Sequence, residues 1–485
     1  RNKYTVQKQR VQGVYGSWTL GYEEWLYLTL TGRNDWSSTL PAANRSFFYP
    51  SASLSYVFTD MPGLKGNTGA LSSGKLRLAY GQTGNSPQPY FTLPRLVPQA
   101  TTGGGFGYDF SGGNLNLKPE RGASFELGTE LVFFNNRLSL DAAYYQKTLS
   151  QQIVQQRLSY ATGFIFGLLN GGTFQNRGLE IQLNGTPVRT ANFRWNVGLN
   201  FTKLETSVSS LPADVPEYYN SDTFLGNYRA SAFVKNLQPY FDPANPAYQG
   251  INFDYYQRGA GSATAIGGYG YARNRNGDIL INPTTGLPLT NNLFLPIGDR
   301  NPDFQMGLQN TFSYKNVTLS FLLDIRKGGD VFNGTAQYLW RTGQSTKSLD
   351  RTTPVVFKGV LRDGRENSAT PTPNSIQINP TLRSPDYYGA IPESEFVEKD
   401  INWVRMRDIT LRYQFPQATL ARTKVIKSAS VFVNGTDLFL LTNYSGADPN
   451  VNGSSAASGG VGAGGLDFGT ISLPRGFSFG VTLGL

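Results

Sequence analysis

The ten residues VTLSFLLDIR, from Val317 to Arg326, alternate apolar side chains with side chains that are mostly polar. A β-strand turns successive side chains to opposite faces, so every second residue of this stretch shares a face. The odd-numbered positions carry only apolar side chains, whereas the even-numbered ones include Asp324 and Arg326. The stretch is therefore predicted to be a strand with one continuously apolar face and one face that carries charge.

The same alternation recurs along the chain and predicts about thirteen strands, with charges kept off the apolar side almost throughout. The strands are predicted near residues 4–20, 24–33, 47–59, 74–85, 122–134, 138–147, 179–183, 193–202, 304–314, 317–326, 409–415, 428–440 and 477–485. A soluble β-sandwich would show the same alternation, so the lengths of the connections have to distinguish a sandwich from a membrane barrel.

The predicted connections are alternately short and long. The short ones lie near 21–23, 135–136, 190–192, 315–316 and 416–427, with a medium one at 60–73. The long ones lie at 34–46, 86–121, 158–173, 212–302, 327–396 and 441–474. Outer-membrane barrels have short periplasmic turns and long extracellular loops, whereas such long loops are uncommon in compact soluble domains. The whole chain, 1–485, is therefore predicted to be part of one all-β transmembrane antiparallel barrel, with 86–121, 212–302, 327–396 and 441–474 outside the cell.

Composition narrows the possible functions. Charged residues make up 16% of the 485 residues and aromatic residues 13%, whereas about 25% charge is usual in soluble domains. The chain contains no histidine and no cysteine, which excludes Ser-His-Asp triads, Cys–His nucleophiles, His-based zinc sites and CxxC motifs. No carboxylate pair stands out at a recognisable spacing, so an enzyme is not predicted. The net charge of +10 is scattered rather than clustered, so no nucleic-acid partner is predicted.

An odd strand count raises the question of closure, because single-chain bacterial barrels use even numbers. An open sheet would leave unpaired backbone groups facing hydrocarbon, at several kcal/mol each. We expect that strands preceding Arg1 are missing, since the chain opens inside a strand-like stretch and shows no signal peptide, or that a second polypeptide supplies them. A plugged barrel of 22 strands would place about nine upstream.

Several motifs are specific enough to suggest a family. In chain order they are RNDWSSTLP (33–41), FYPSASLSYVF (48–58), LRLAYGQTGN (76–85), NLKPE (116–120), FQNRGLEIQL (174–183), NPDF (301–304), GGDVFNG (328–334), FVEKDINWVRMRDITLRYQFP (396–416), NYSGADPNV (443–451) and RGFSFGVTLGL (475–485). Together they resemble the SusC/RagA-type TonB-dependent outer-membrane transporters. The resemblance implies the C-terminal half of a 22-stranded barrel, with the plug and the TonB box outside this chain.

The resemblance also implies a mechanism and partners. Members of that family import oligomeric nutrients, glycans or peptides, beneath a surface lipoprotein lid of the SusD type. TonB pulls on the box and opens the plug, so TonB would act through the N-terminal part that this chain lacks. The remaining partner would be outer-membrane lipid. Two alternatives stay open: a passive porin, and a non-transporting structural or secretion-complex subunit that has kept the barrel.

Charges on the polar side of the predicted strands are the candidate lumen-lining residues. They are Glu126, Glu130, Asp141, Glu180, Arg194, Asp324 and Arg412. A wall of mixed sign suits neutral or variably charged cargo better than one class of anion. The simpler interpretation, which we favour for these charges, is a solvated inner face with salt bridges to the plug.

Aromatic clusters in two long loops are the candidate substrate-binding residues. Phe106, Tyr108 and Phe110 lie among glycines, and their rings would suit the faces of sugars. The stretch 239–258 is dense in aromatic residues, of which Tyr240, Phe241, Tyr255 and Tyr256 are the candidates for contact with cargo or lid. Packing of each loop on its own aromatic side chains is the alternative for both.

One weak metal motif and three tryptophans complete the candidates. Asn274, Asn276 and Asp278 are spaced like the start of a calcium loop, but two acidic ligands and the terminal glutamate are missing. A simple Asn-Gly turn explains the stretch as well, and no other cofactor is predicted. Trp36, Trp340 and Trp403 lie near predicted strand ends and are expected in an aromatic girdle at the membrane interface.

Overall fold

The computed structural model describes residues 8–66, 68–99, 105–109, 111–164, 166–212, 217–219, 230–237, 239, 258–382, 385–421, 425–450 and 464–484. One large antiparallel sheet dominates these residues. Its strands follow one another in chain order, and each is hydrogen-bonded to the next. An up-and-down order with antiparallel neighbours is the arrangement that the alternating connections predict.

Thirteen strands form the continuous path of the sheet, which confirms the predicted number. They are β1 (Val11–Tyr22), β2 (Leu26–Ser37), β3 (Ser46–Tyr56), β4 (Leu71–Asn85), β5 (Glu120–Phe133), β6 (Leu138–Arg157), β7 (Phe166–Arg189), β8 (Phe193–Ser210), β9 (Phe304–Tyr314), β10 (Val317–Lys327), β11 (Trp403–Gln414), β12 (Ser428–Thr436) and β13 (Gly476–Gly484). Two short strands join from the side, Ser111–Gly112 beside β7 and Leu440–Thr442 beside β11.

The register keeps the two sets of side chains apart across neighbouring strands. In the β10–β11 pair, Leu319 lies opposite Leu411, whereas Ser320 lies opposite Thr410. Because directly opposed residues of an antiparallel pair share a face, the apolar positions of successive strands merge into one surface. We call this the apolar face, and the surface that carries Ser320 and Thr410 the polar face.

A β-bulge in β11 corrects a break in the alternation. Leu322 pairs with Asp408 and Leu323 with Met406, so Arg407 is an extra residue without a partner in the register. A bulge moves the following residues by one position. The apolar face therefore holds Met406 before the bulge and Ile409 after it, although their numbers differ in parity.

Strands β1 and β13 are the edges of the sheet, since within the described residues each pairs on one side only. Large apolar side chains on both edge strands are exposed, among them Trp18 and Phe479. Among the described residues the sheet is thus open rather than closed, and the strands expected to complete it remain a prediction.

The central strands are longer than the sequence pattern predicts. The loop predicted at 158–173 is only 158–165, because β6 continues to Arg157 and β7 begins at Phe166. At about 3.3 Å per residue, the 24 residues of β7 extend well beyond the ~25 Å apolar band of an outer-membrane barrel. The long-loop ends of β6, β7 and β8 therefore project past that band.

Much of the buried core lies in the connections rather than in the sheet. The described parts of 211–303, 328–402 and 437–475 pack together into what we call the loop layer. Its largest apolar cluster surrounds Phe233 and also buries Phe174 of β7 and Val208 of β8. A second cluster joins Ile266, Phe332 and Leu466 from three different connections. The loop layer is thus a small packed body on the projecting ends of the strands.

Short strands and helices order the loop layer. A four-stranded sheet contains Glu217–Tyr219, Ala230–Phe233, Ala265–Gly268 and Leu295–Asp299, and a three-stranded one contains Val397–Glu398, Val331–Asn333 and Leu466–Asp467. Leu280–Ile281 pairs with Val360–Leu361 in the same layer. Its helical elements among the described residues are the α-helices Gly334–Arg341 and Asp386–Gly389 and the 3₁₀ turns Thr346–Ser348 and Glu393–Phe396. Outside the loop layer, Leu96–Gln99 pairs with Gly105–Tyr108, and the described helical elements are the α-helix Gln417–Leu420 and the 3₁₀ turns Phe58–Asp60 and Tyr160–Thr162. None of the helices among the described residues has the length and apolar character needed to cross a membrane.

Two of the three tryptophans expected in an interfacial girdle lie elsewhere. Trp403 is buried in a cluster with Val331, Ile401 and Tyr444, and Trp340 packs against Tyr387 and Tyr388 inside the loop layer. The girdle prediction is therefore wrong for both, because the strand ends on which it relied continue into packed loops. Trp36 is partly exposed near the end of β2.

Candidate functional site

All seven candidate wall charges lie on the polar face. Glu130 is opposite Asp141, which is in turn opposite Gln182, and Asp324 is opposite Arg405. Glu126, Glu180, Arg194 and Arg412 occupy the same face, opposite Tyr145, Ala143, Ser313 and Thr318. The structure therefore brings these residues onto one surface, and their role as the lining of a lumen remains a proposal.

Three of these seven charges, Glu130, Asp141 and Asp324, are paired with basic neighbours. Arg77 of β4 bonds Glu130 and lies 2.9 Å from Asp141. Arg407, the bulge residue, lies 2.7 Å from Asp324. Exposed pairs of this kind contribute little stability each, but they leave a wall of locally balanced charge. Such a wall offers hydrogen-bond donors and acceptors without a strong net field.

A buried ion pair marks the point where β11 enters the loop layer. Arg405 bonds Asp448, and both side chains are almost wholly buried. Its other contact, with Asp437, is 3.4 Å long, and Asp437 also lies 3.5 Å from Arg407. Because an uncompensated charge is costly in such surroundings, this pair ties the connection after β12 firmly to β11.

Asp330 is the most highly connected carboxylate of the loop layer. Its side chain is fully buried and pairs with Arg258, whose Nε donates to Oδ2 at 2.5 Å. The backbone N–H groups of Asp299 and Asp400 donate to the same carboxylate at 2.8 and 3.1 Å. The hydrogen bond with Asp330 raises the pKa of Arg258. One carboxylate thus fixes four segments of chain.

Two further acidic residues, Glu398 and Asp467, lie in the same region of the loop layer as Asp330. Glu398 accepts from Asn333 Nδ2 at 2.7 Å and from the Ser445 N–H at 2.8 Å. Asp467 accepts from the Tyr444 hydroxyl at 2.6 Å. Burial, followed by the contact with Asp467, raises the pKa of Tyr444. Residues from separate sequence motifs therefore meet at one place.

These carboxylates lie inside the family motifs, but the sequence predicts no role for them. Asp330 belongs to GGDVFNG, Glu398 to the motif before β11, and Asp448 to NYSGADPNV. Acidic residues inside apolar motifs are a signal of buried, paired charge. The sequence could not predict their partners, because Arg258, for example, is 72 residues away from Asp330 in the chain.

Arg300 is a buried cation in the same region. Its Nε donates to the Thr264 carbonyl at 3.2 Å and its Nη1 to the Gly464 carbonyl at 2.7 Å. Burial lowers the pKa of Arg300 to about 10, so the guanidinium remains charged at neutral pH. The side chain joins two connections that are far apart in sequence.

The aromatic candidates are only partly described. Phe106 and Tyr108 are exposed on a small hairpin, where the Tyr108 ring lies 5.3 Å from that of Phe164. Phe110, Tyr240, Phe241, Tyr255 and Tyr256 lie outside the described residues. Contact of these side chains with cargo stays a prediction.

The weak metal motif forms a hydrogen-bonded turn. The Asn274 side chain accepts from the Asp278 N–H at 2.7 Å and donates to the Asp278 carboxylate at 3.0 Å and to the Glu366 carbonyl at 2.8 Å. Gly277 has a positive φ of 91°, as an Asn-Gly turn requires. Calcium would have to displace these bonds, so the residues present fit a structural turn better than a cation. Within the described residues no group of three acidic side chains is placed to hold a metal.

Comparisons with known proteins agree with this architecture. The family model described as TonB dependent receptor-like, beta-barrel, matches residues 1–272. TonB-dependent receptor P26 of Formosa agariphila is 28% identical over 493 residues, which cover 98% of this chain and 46% of that protein. TonB-dependent receptor SusC of Bacteroides thetaiotaomicron is 23% identical over 448 residues, covering 87% and 40%. The chain spans about half the length of the curated relatives it matches.

A solved structure shows the same fold. The RagAB peptide transporter superposes with a TM-score of 0.69 at 19% identity, and the match covers 98% of this chain and 48% of that one. This likeness concerns the fold alone, whereas the family model covers more than half of the sequence. The resemblance drawn from the motifs is confirmed, and the chain belongs to the TonB-dependent receptor-like β-barrel family.

Proposed function

We propose that this chain is the C-terminal part of an outer-membrane transporter that imports oligomeric nutrients with energy supplied through TonB. The observation that carries the proposal is the two-sided sheet, with one apolar and one charge-balanced polar face. The apolar face suits lipid, and the polar face suits a wet lumen that passes cargo without trapping it. The family to which the chain belongs is one of outer-membrane barrels.

The orientation follows from the same proposal. The loop layer is the extracellular mouth and the short turns face the periplasm, as in outer-membrane barrels generally. Exposed aromatic side chains of another long connection, such as Phe106 and Tyr108, would meet cargo or a SusD-like lipoprotein lid on the same side. The packed loop layer supports a recognition role for this side, because recognition surfaces work best on a rigid base.

Two classes of cargo are compatible with this proposal. The solved structure that shares this fold is that of a peptide transporter, RagAB, so peptides are one candidate class. Oligosaccharides are the other, because a charge-balanced wall with many hydroxyl and amide groups favours neutral polar cargo. Both classes belong in the test.

The test is growth of the host bacterium on defined oligomers. Deleting the complete gene should abolish growth on an oligosaccharide or a peptide mixture while growth on monomers, the control, is unchanged. Complementation with the full-length gene should restore growth only where TonB is present. Restoration without TonB would indicate a passive porin, and unchanged growth on every oligomer would indicate a non-transporting subunit.

A further inference from the structure

Two rows of polar-face side chains cross the first three strands. Tyr15 of β1, Arg33 of β2 and Tyr49 of β3 are directly opposed and form the first row. The second row, two positions along, consists of Ser17, Thr31 and Ser51. Between the rows, the residues that point to the other face have little or no flexible side chain: they are Gly16, Gly32 and Pro50.

These rows enclose a cleft of about 260 Å³ that all nine of these residues line, together with Gln82. Drug-sized ligands occupy about 300–1,000 Å³, so the β1–β3 cleft matches one unit of an oligomer rather than a whole oligomer. It lies on the polar face, because its walls are the two rows themselves. No candidate residue from the sequence falls in it.

Arg33 is held in position by its own strand. Its Nε donates to Asp35 Oδ1 at 2.8 Å, and the other oxygen of the buried Asp35 accepts from the Tyr49 hydroxyl. A guanidinium has five N–H donors, and the bond to Asp35 uses one of them. Because Asp35 neutralises the guanidinium, the cleft wall that Arg33 forms carries no net positive charge. That combination favours neutral hydroxyl groups over free anions.

The tyrosines and the hydroxyl row supply complementary contacts. Tyr15 is 75% exposed, and Tyr15 and Tyr49 lie opposite Arg33 on the two neighbouring strands. The hydroxyls of Thr31 and Ser51 bond each other and, with Ser17, form the opposite wall. Aromatic faces suit apolar C–H surfaces, whereas hydroxyls both donate and accept hydrogen bonds. A pyranose ring presents both kinds of surface at once.

We propose that the β1–β3 cleft is a subsite for one pyranose unit of an oligosaccharide as it passes along the wall. The proposal rests on the proposed import function and narrows its cargo to glycans. A peptide has no saturated ring rimmed by hydroxyls, and its charged ends would meet no net charge in the cleft. Peptide binding is therefore the competing outcome of the test.

The experiment measures binding to the full-length protein in detergent, with two labelled probes: maltoheptaose and xylohexaose pooled as oligosaccharides, and a tryptic casein digest as peptides. Tyr15→Ala should weaken oligosaccharide binding roughly 3- to 10-fold, the scale of one aromatic contact. Tyr15→Phe keeps the ring and should bind within about 2-fold of the unchanged protein. Neither variant should alter peptide binding.

Controls separate this subsite from the wider proposal. Tyr144→Ala removes an exposed tyrosine from the apolar face of β6 and should leave oligosaccharide binding unchanged. Heat-modifiable migration on gels checks that each variant folds. Oligosaccharide binding unaffected by Tyr15→Ala, or unchanged protein that binds only peptides, would overturn the subsite and leave import intact. Unchanged protein that binds neither pool would contradict the import proposal itself.

Discussion

At the scale of single residues, the loop layer depends on a few buried carboxylates. Asp330 is fully buried and forms an ion pair with Arg258, whose side chain is 38% exposed and also lies 2.8 Å from Asp400. Asp400 is 71% exposed, so it resembles a surface partner. The two aspartates contact the same guanidinium in opposite surroundings, which makes them a matched pair for mutation.

Asp330→Asn should destabilise the loop layer strongly. The substitution removes the buried charge and turns an amide N–H₂ group toward donors that now bond a carboxylate. Breaking a buried pair costs about 3–5 kcal/mol, and we expect the lower end because Arg258 is partly in water. Amide hydrogen exchange in Ala265–Gly268 and Leu295–Asp299 measures the free energy of local opening.

Asp400→Asn is the control for that measurement. An exposed ion pair contributes about 0–1 kcal/mol, and the Asp400 N–H that bonds Asp330 is unchanged by the substitution. Equal effects of the two substitutions on hydrogen exchange would show that burial of Asp330 is not what stabilises the loop layer.

At the scale of elements, the strands of the large sheet could be predicted from the sequence, whereas the structure of the loop layer could not. The period of two in β10 and its neighbours is a local signal, so thirteen strands were predictable from residues a few positions apart. The strands of the loop layer are two to five residues long, too short to show a period. They are held by distant contacts, such as that of Thr335 with Asp467, 132 residues apart.

The bulge in β11 allows a direct test of how that strand is aligned in the sheet. Met406 and Ile409 both belong to the apolar face only because Arg407 is an extra residue between them. Deleting Arg407 would leave Met406 and Ile409 two positions apart, so both would stay on the apolar face of a regular strand. We expect the deleted protein to assemble, measured as a retained heat-modifiable band on gels.

Arg407→Ala is the matched control, since it keeps the bulge and removes the ion pairs of Arg407 with Asp324 and Asp437. That variant should assemble with a stability loss of about 0–1 kcal/mol, as partly exposed pairs allow. A deletion variant that fails to assemble where Arg407→Ala succeeds would show that β11 needs the extra residue itself and not only the facing of Met406 and Ile409.

At the scale of the whole molecule, the two faces of the sheet define what the chain can do. The apolar face has many exposed large side chains, such as Leu127, Leu411 and Phe479, which would be a liability in water. The polar face opposite them has neutralised charge and the β1–β3 cleft. The loop layer covers one end, so a path along the polar face would begin there.

Spin labels at Leu319 and Ser320 of the full-length protein test this arrangement directly. The two residues are adjacent in β10 and lie opposite Leu411 and Thr410, on different faces of the sheet. In membranes, a label at Leu319 should be relaxed mainly by oxygen, which concentrates in lipid, and a label at Ser320 mainly by a water-soluble nickel complex. The control pair Leu323 and Asp324 lies four residues further along the strand and should show the same contrast. Labels with equal access to the nickel complex at both positions would mean that acyl chains do not cover the apolar face, and a membrane barrel would then be the wrong assembly for this sheet.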